Sequence, residues 1–456
     1  MSTIASISTA PGIGGIGIIR MSGEKTFEIL EKIFKPKTKQ KIEDIKGYTI
    51  KYGHIIENKE IIDEVLVSYF KAPRSYTTEN MCEINSHGGN IIVKKILEMC
   101  LKNGAELAEP GEFTKRAFLN GRIDLAQAES VIDVINAKSD KEAKSGIKQL
   151  EGYLSSEIKG IKQEILDVLV NIEVTIDYPE YDTPEVQEQE IKQMLESVGN
   201  KLEKLEKSFD NGKIIKDGIK TAIIGKPNAG KSSLLNAILK EERAIVTDIA
   251  GTTRDTIEEF VTINGIPLNL VDTAGIREAS DEVEKIGVEK SIKQAKDADL
   301  IIAIFDSSKD LTDEDLEILE LIKNKKSIIL LNKSDLNAKI NENDSRFTEI
   351  TDNIIKISAL NKTGIDLLYE KISNMFNLNE INLDNDILIT NIRHKNIISK
   401  SLDNVKKSKE ALEMNLPIDI ITIYIKNVLE DLGEITGEVV TEDIINEIFS
   451  KFCLGK

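Results

Sequence analysis

The spacing of apolar residues changes along the chain, and each change marks a different kind of structure. Up to about residue 120 the apolar positions fall in short runs and loose alternations. Ser2 to Thr9 predicts a strand, Ile61 to Phe70 a second and Met81 to Asn85 a third. His87-Gly88-Gly89 predicts a turn, followed by a helix over 90–103 with Ile92, Ile96 and Met99 on one stripe. From Ile123 the period becomes helical. Ile158, Ile161, Ile165, Leu169, Ile172 and Ile176 share a face that Pro179 ends, and Ile191, Leu195, Val198, Leu202, Leu205 and Phe209 form a second stripe with charge opposite. Buried-strand runs then appear at Lys220 to Ile224, Pro267 to Val271, Ser327 to Leu331 and Ile354 to Ile357. Helical spacing resumes at Ile398, Leu402, Val405 and Leu412 and continues through 418–432 and 441–452.

This order predicts a multidomain chain. An α+β domain spans 1–120. An α-helical bundle is built from 121–216 and 375–456, and an α/β domain, 217–374, is inserted in it. Asp210-Asn211-Gly212-Lys213 reads as the linker into the inserted domain.

Composition narrows the setting. The chain has 456 residues, which suits two to four domains, and carries a net charge of -18 with a pI near 4.9. A protein coated in nucleic acid does not have that balance, although the run Lys32, Lys35, Lys37, Lys39 and Lys41 could form a local basic face; a solvated loop is the simpler reading. Cys82, Cys100 and Cys453 are odd in number and lack metal-ligand spacing, so a reduced, cytoplasmic compartment is expected. No apolar run is long enough to span a bilayer, and no secretory leader is evident, so a soluble protein without membrane partners is expected. With no Trp and few aromatics, stacking platforms for single-stranded nucleic acid are not advertised.

The strongest chemical signal is Gly225-Lys226-Pro227-Asn228-Ala229-Gly230-Lys231-Ser232, a full match to G-x-x-x-x-G-K-[ST] between a strand and a helix. Such a loop closes backbone N–H groups around phosphate oxygens at a helix N-terminus. Lys231 would reach the terminal phosphates and Ser232 would bind Mg2+. The other elements of a P-loop GTPase follow in order. Gly251-Thr252-Thr253-Arg254-Asp255 offers Thr253 as the switch threonine and second Mg2+ hydroxyl. Asp272-Thr273-Ala274-Gly275 offers Asp272 to Mg2+ through water and the Gly275 N–H to the γ-phosphate. Asn332-Lys333-Ser334-Asp335 closes a strand, and Asp335 would accept two hydrogen bonds from guanine. Adenine would leave that carboxylate unpaired, a mismatch that discriminates by roughly 10^4. Ser358-Ala359-Leu360 would cover the base.

After Asp-x-x-Gly many GTPases place a glutamine, but here Ile276 stands. Arg254 as an internal finger, or a carboxylate within Glu278 to Glu284, could supply what is missing; the acidic run also reads as a solvated switch loop. In the first domain, Pro11 to Arg20 reads as a glycine-rich hairpin rather than a dinucleotide fingerprint, because Ile18-Ile19 continue as strand. Arg20 and Glu83 read as surface or paired charges, and His87 as a structural turn histidine.

Taken together these motifs resemble the MnmE (TrmE) family of tRNA-modification GTPases, nearly end to end. The resemblance is carried by Gly14 to Arg20, His87-Gly88-Gly89, Pro110 to Gly121, Asp124 to Glu129, Gly225 to Ser232, Ile249 to Asp255, and Phe452-Cys453-Leu454-Gly455-Lys456. It implies a folate-binding, aminomethyltransferase-like N-terminal domain that mediates homodimerisation. It implies action with the flavoprotein MnmG, as a heterotetramer, to place a carboxymethylaminomethyl-type group on C5 of the wobble uridine of certain tRNAs. A one-carbon unit on 5-formyltetrahydrofolate or a related tetrahydrofolate would be the donor. The folate site maps onto Arg20, Glu83, Arg122 and Lys456, with Cys453 as a buried thiol beside it. The resemblance also implies K+ held by Asn228 and the carbonyls of Thr247, Ile249 and Thr252, with Glu284 orienting water beside Lys231. GTP contacts would come from Asn228, Ala229, Gly230, Lys231, Ser232, Ser233, Thr247, Asp248, Ile249, Ala250, Gly251, Thr252 and Thr253. Asp272, Thr273, Ala274, Gly275, Asn332, Lys333, Asp335, Ser358, Ala359 and Leu360 would complete the set. The competing class is a GTPase switch of ribosome assembly, whose members often add a basic RNA-clamping G-x-x-G loop; the comparable Gly12 to Gly17 is apolar.

Overall fold

The computed structural model describes residues 2–38, 47–177, 184–239, 259–270, 298–379 and 387–456. They form two compact units. One comprises Met1–Ile135, Ile147–Glu203 and Asn396–Lys456, and the other Asn136–Gly146 and Lys204–Lys395.

The first unit contains, among the described residues, a seven-stranded sheet. Its strands are β1 (Ile4–Ile7), β2 (Ile16–Ser22), β3 (Phe34–Pro36), β4 (Thr49–Glu57), β5 (Glu60–Phe70), β6 (Met81–His87) and β7 (Glu106–Leu107). The order is β3-β4-β5-β6-β2-β1-β7, antiparallel except for β7 beside β1. Alternation along β5 decides which face is core. Val65, Val67 and Tyr69 are buried with Ile19, Met21, Cys82 and Ile84 under the helices Thr26–Ile33 and Asn90–Lys102. The opposite face leaves Ile50, Tyr52 and Leu66 exposed. Lys32 and Lys35, expected in a loop, stand exposed on a helix and on β3.

The glycine-rich hairpin expected near the N-terminus is present, joining β1 to the antiparallel β2. A Cβ on Gly88 would sit 2.4 Å from the Gly14 carbonyl oxygen, so the two glycine-bearing loops touch backbone to backbone. Strand β4 carries no signal that was read from the sequence. It pairs with β5 through Asn58-Lys59, both at positive φ, the two-residue turn that right-handed strand twist favours. Lysine at the second position hides that turn.

Helices complete this unit. Tyr153–Asp177 buries Leu154, Ile158, Ile161, Ile165, Leu169 and Ile172, the face the spacing predicts. Ile418–Thr436 packs against that helix. Its Asp431 is buried and accepts from Lys400 Nζ at 2.6 Å and Asn404 Nδ2 at 2.9 Å, so the carboxylate is paired rather than stranded.

The second unit has a six-stranded sheet among the described residues. It comprises β8 (Ile219–Ile224), β9 (Glu259–Ile263), β10 (Ile266–Leu270), β11 (Leu300–Asp306), β12 (Ser327–Asn332) and β13 (Ile354–Lys356), in the order β13-β12-β11-β8-β10-β9. All pairs are parallel except β9 with β10, which turn on Asn264-Gly265. From β8 the chain continues to the β10 side, and from β11 to the β12 side. The carboxyl ends of β8 and β11 therefore flank a topological switch point, where open α/β sheets bind ligands.

One expectation is corrected. Asp210 to Lys213 is not a linker loop, because the helix Pro184–Asp217 runs through it to Gly218 at φ 71°. Ile215 keeps the helical period and is fully buried, so continuing the helix buries more apolar surface than a loop would. Gly212 makes room, since a Cβ there would meet the Ile389 carbonyl oxygen at 2.1 Å.

Ile302 is fully buried on β11 within the core that also holds Leu268 and Leu330. Ile302→Ala is expected to cost about 3 kcal/mol. The check is the urea midpoint of the transition that unfolds the second unit.

Candidate functional site

The phosphate loop begins where β8 ends. Gly225 lies so close to β11 that a Cβ would be 2.5 Å from the Ile304 carbonyl oxygen. Asn228 takes φ 60° and Gly230 φ 109°, and these turn the loop into the helix Lys231–Leu239. Ser232 and Ser233 stand in that helix's first turn, at the end of a helix that carries partial positive charge. The Lys231 ammonium donates to the carbonyl oxygens of Gly225 at 2.6 Å and Lys226 at 2.8 Å. Burial pushes its pKa below the ordinary lysine value. Among the described residues no carboxylate offsets this half-buried cation, an electrostatic setting that suits an anion.

Asn332 ties the loop to the far side of the site. Its Nδ2 donates to the Ala229 carbonyl at 2.8 Å, and its Oδ1 accepts from the Ala359 N–H at 3.0 Å. Asp335 is set by Ser358, whose Oγ donates to Oδ1 at 2.5 Å. The Ser358–Thr363 bridge and the Ser334 N–H to Ile357 carbonyl bond hold both loops at the ends of β12 and β13. Leu360 stands exposed at the tip. Thus Asn228 to Ser233, Asn332, Lys333, Asp335 and Ser358 to Leu360 come together at one end of the sheet. The proposed contacts Thr247, Asp248, Ile249, Ala250, Gly251, Thr252, Thr253, Asp272, Thr273, Ala274, Gly275 and Glu284, with Arg254 and Ile276, lie outside the described residues.

Two residues here were not singled out from the sequence. Asp306 ends β11 and accepts from Lys333 Nζ at 2.6 Å and Ser308 Oγ at 2.6 Å. Burial acts to raise its carboxyl pKa, but these hydrogen bonds outweigh burial and hold it below the ordinary value. An acidic residue closing the fully apolar run Leu300 to Phe305 is the signal that could have found it. The other is Lys226, whose side chain reaches the helix Asp313–Ile322.

The first unit holds a separate cavity of about 400 Å³. Arg20 on β2 and Glu83 on β6 are direct cross-strand partners, which puts them on one face, 2.8 Å apart. Both Arg20 contacts to Glu83 fall on Oε1. Lys456 also lines the cavity, with Tyr76, Phe70, Met81, Val131, Val134, Ile135 and Leu150 as its less polar walls. Arg122, expected in this site, does not line the cavity; its guanidinium lies over the ring of the lining residue Tyr76, 4.7 Å from the centroid. The C-terminal motif is pinned by Gly455. At φ 84°, a Cβ there would sit 2.2 Å from the Ile7 carbonyl oxygen, while the Gly455 carbonyl accepts from Arg20 and Ser8. Cys453 is exposed, not buried as expected, because the turn that seats Phe452 and Gly455 points residue 453 outward. The buried thiols are Cys82 and Cys100, and burial pushes both up, Cys100 to about 12. His87 is exposed and its Nδ1 lies 2.6 Å from Asp63, whose hydrogen bond raises the imidazole pKa.

Two family models match this chain: "MnmE helical domain" over residues 125–453 and "GTP-binding protein TrmE N-terminus" over 3–122. The tRNA modification GTPase MnmE of Clostridioides difficile (strain 630) is 51% identical, covering 100% of this chain and 99% of that protein. The chain belongs to the MnmE family. Another member, the tRNA modification GTPase MnmE of Lactococcus lactis, is 50% identical over 100% of this chain and 98% of its own length. Among solved structures, the G domain of the T. maritima FeoB iron transporter is 27% identical, covering 34% of this chain and 97% of that one, with a TM-score of 0.26. That score is too low to bear on the arrangement. Among the described residues no helix is long and apolar enough to cross a membrane.

Asn332→Ala strands a buried carbonyl at Ala229 and a buried N–H at Ala359. The expected cost is about 3 kcal/mol. Thermal denaturation of the nucleotide-free protein measures it, and an unchanged midpoint would show that the carboxamide is not the tie.

Proposed function

We propose that this member of the MnmE family hydrolyses GTP in the cytoplasm as a homodimer. In this reading it works with the flavoprotein MnmG in tRNA modification, attaching a carboxymethylaminomethyl-type group to C5 of the wobble uridine of certain tRNAs. The observation that carries the GTPase part is the half-buried Lys231 ammonium, which meets no carboxylate among the described residues, in a loop tied through Asn332 to the loop that follows β13. The tRNA part is supported by half-identity over the full length of relatives named as tRNA modification GTPases. The functional division follows the sequence reading, with 217–374 as nucleotide domain, 1–120 as dimerisation and folate domain, and 121–216 with 375–456 as helical support.

In this reading Asp335 receives the guanine edge, with Ser358 holding one oxygen in place. Ser232 fits Mg2+, being a hydroxyl in the first turn of the phosphate-loop helix; Thr253 would be its partner. Asn228 fits a K+ ligand, since its positive φ belongs to a loop that exposes the carboxamide. The carbonyls of Thr247, Ile249 and Thr252 would complete that set, with Glu284 orienting the water. A monovalent cation would supply the fixed positive charge that an arginine finger gives elsewhere.

The cavity in the first unit fits a tetrahydrofolate. Its broad apolar wall suits a flat heterocycle, Glu83 Oε2 is clear of both Arg20 contacts and can accept from an amide-like edge, and Lys456 suits an anionic tail. A ribosome-assembly switch gains nothing from the Gly12 to Gly17 loop, which exposes Ile13 and carries no basic residue.

GTP turnover should be faster in KCl than in NaCl at equal ionic strength, and tRNA from cells lacking the protein should lose the wobble modification. Equal rates in the two salts would remove the cation from the proposal. Asp335→Asn should weaken GTP binding and favour xanthine nucleotide, whose edge presents an acceptor where guanine presents a donor. A nucleotide titration with both bases reads this directly, and retained GTP affinity would discard the base-reading role.

A further inference from the structure

Lys226, the second residue of the phosphate loop, has two attachments that belong to different parts of the site. Its carbonyl oxygen accepts the Lys231 ammonium at 2.8 Å. Its own ammonium leaves the loop and meets Asp315 Oδ2 at 2.5 Å and Thr312 Oγ1 at 2.7 Å. Asp315 sits in the first turn of the helix Asp313–Ile322, and its side chain is 6% exposed. The same oxygen accepts the Thr312 N–H at 2.9 Å, so the helix N-terminus and the loop share one carboxylate. The loop's chief cation is thus held by a peptide whose side chain is fastened to a capped helix.

We propose that Lys226 is a positioning residue for nucleotide binding, anchored by Asp315 and acting through its carbonyl on Lys231. With the anchor made, the 225–226 peptides face Lys231 before any ligand arrives, and binding spends less on ordering the loop. Without it, the loop entry gains rotational freedom, a nearly buried carboxylate loses its cation, and Lys231 loses one fixed acceptor. This rests on the guanine-nucleotide reading given above.

The test is titration of the full-length protein with a fluorescent GDP in Mg2+. Lys226→Met keeps the apolar stem and removes the charge. It should weaken GDP binding about tenfold, and Asp315→Asn should do the same. The double variant should bind no worse than the weaker single, because each change breaks the same link. Lys226→Arg should stay within about twofold of the unsubstituted chain. Melting of the nucleotide-free proteins separates positioning from bulk stability: the Lys226→Met midpoint should fall modestly, as the stranded Asp315 carboxylate requires, with the protein still folded at the titration temperature and Lys226→Arg restoring both midpoint and binding. If Lys226→Met binds GDP as well as the unsubstituted chain, or if the two losses simply add, the anchor has no part in binding. A loss that follows a matching fall in melting temperature, and that arginine does not restore, also overturns the proposal. An unsubstituted chain that ignores GDP would overturn the guanine-nucleotide reading itself and this inference with it.

Discussion

One end of the six-stranded sheet depends on one carboxamide. Asn332 is the point where a donor and an acceptor on the same side chain are both used, one toward the phosphate loop and one toward the loop that follows β13. A carboxylate could not donate to the Ala229 carbonyl, and a hydroxyl could not reach both partners. The glycines follow from the same constraint. A Cβ on Gly230 would stand 2.1 Å from Asn332 Nδ2, so the bond and the missing side chain require one another. In the proposed reading phosphate binding and base recognition lie on separate loops, and this contact ties those two loops together.

The other candidate site is built on a different principle. Arg20 and Glu83 meet because β2 and β6 are adjacent and in register, so the sheet rather than a loop sets their separation. The pocket is then closed by the chain's last motif, held against β1 by a residue with no side chain. Arg20 has contacts on both sides, with Glu83 and with the Gly455 carbonyl, and lies over the Phe113 ring at 5.6 Å. A ligand here would therefore enter an organised polar wall rather than assemble one.

How much of this was legible depended on whether the determining contacts were local. The phosphate loop reads directly because its conformation dictates glycine at fixed spacings, and the elements after it stand at the ends of apolar strands. The long helices read well because Ile158 to Ile172 and Ile191 to Phe209 obey one period. Strand β4 did not, because its turn uses Asn58-Lys59 in place of a glycine; β9 was overlooked although Asn264-Gly265 announces its turn. The supposed linker at 210–213 failed because polar residues beside a glycine look alike in a loop and on the solvent side of a helix. Only the burial of Ile215 separates the two. Arg20 with Glu83, 63 positions apart, could be paired only through likeness to a family, since nothing local links them. Lys226 with Asp315, 89 positions apart, lay beyond that reach as well.

The three thiols differ in a way that matters at the bench. Cys82 and Cys100 are buried and resist ionisation, so an alkylating dye has little thiolate to attack at either, whereas Cys453 is open to solvent. The unaltered chain therefore already carries a single-site handle for a maleimide fluorophore. It stands two residues from the Gly455 carbonyl that grips Arg20, and emission from that position would report on events at the cavity without any engineered cysteine.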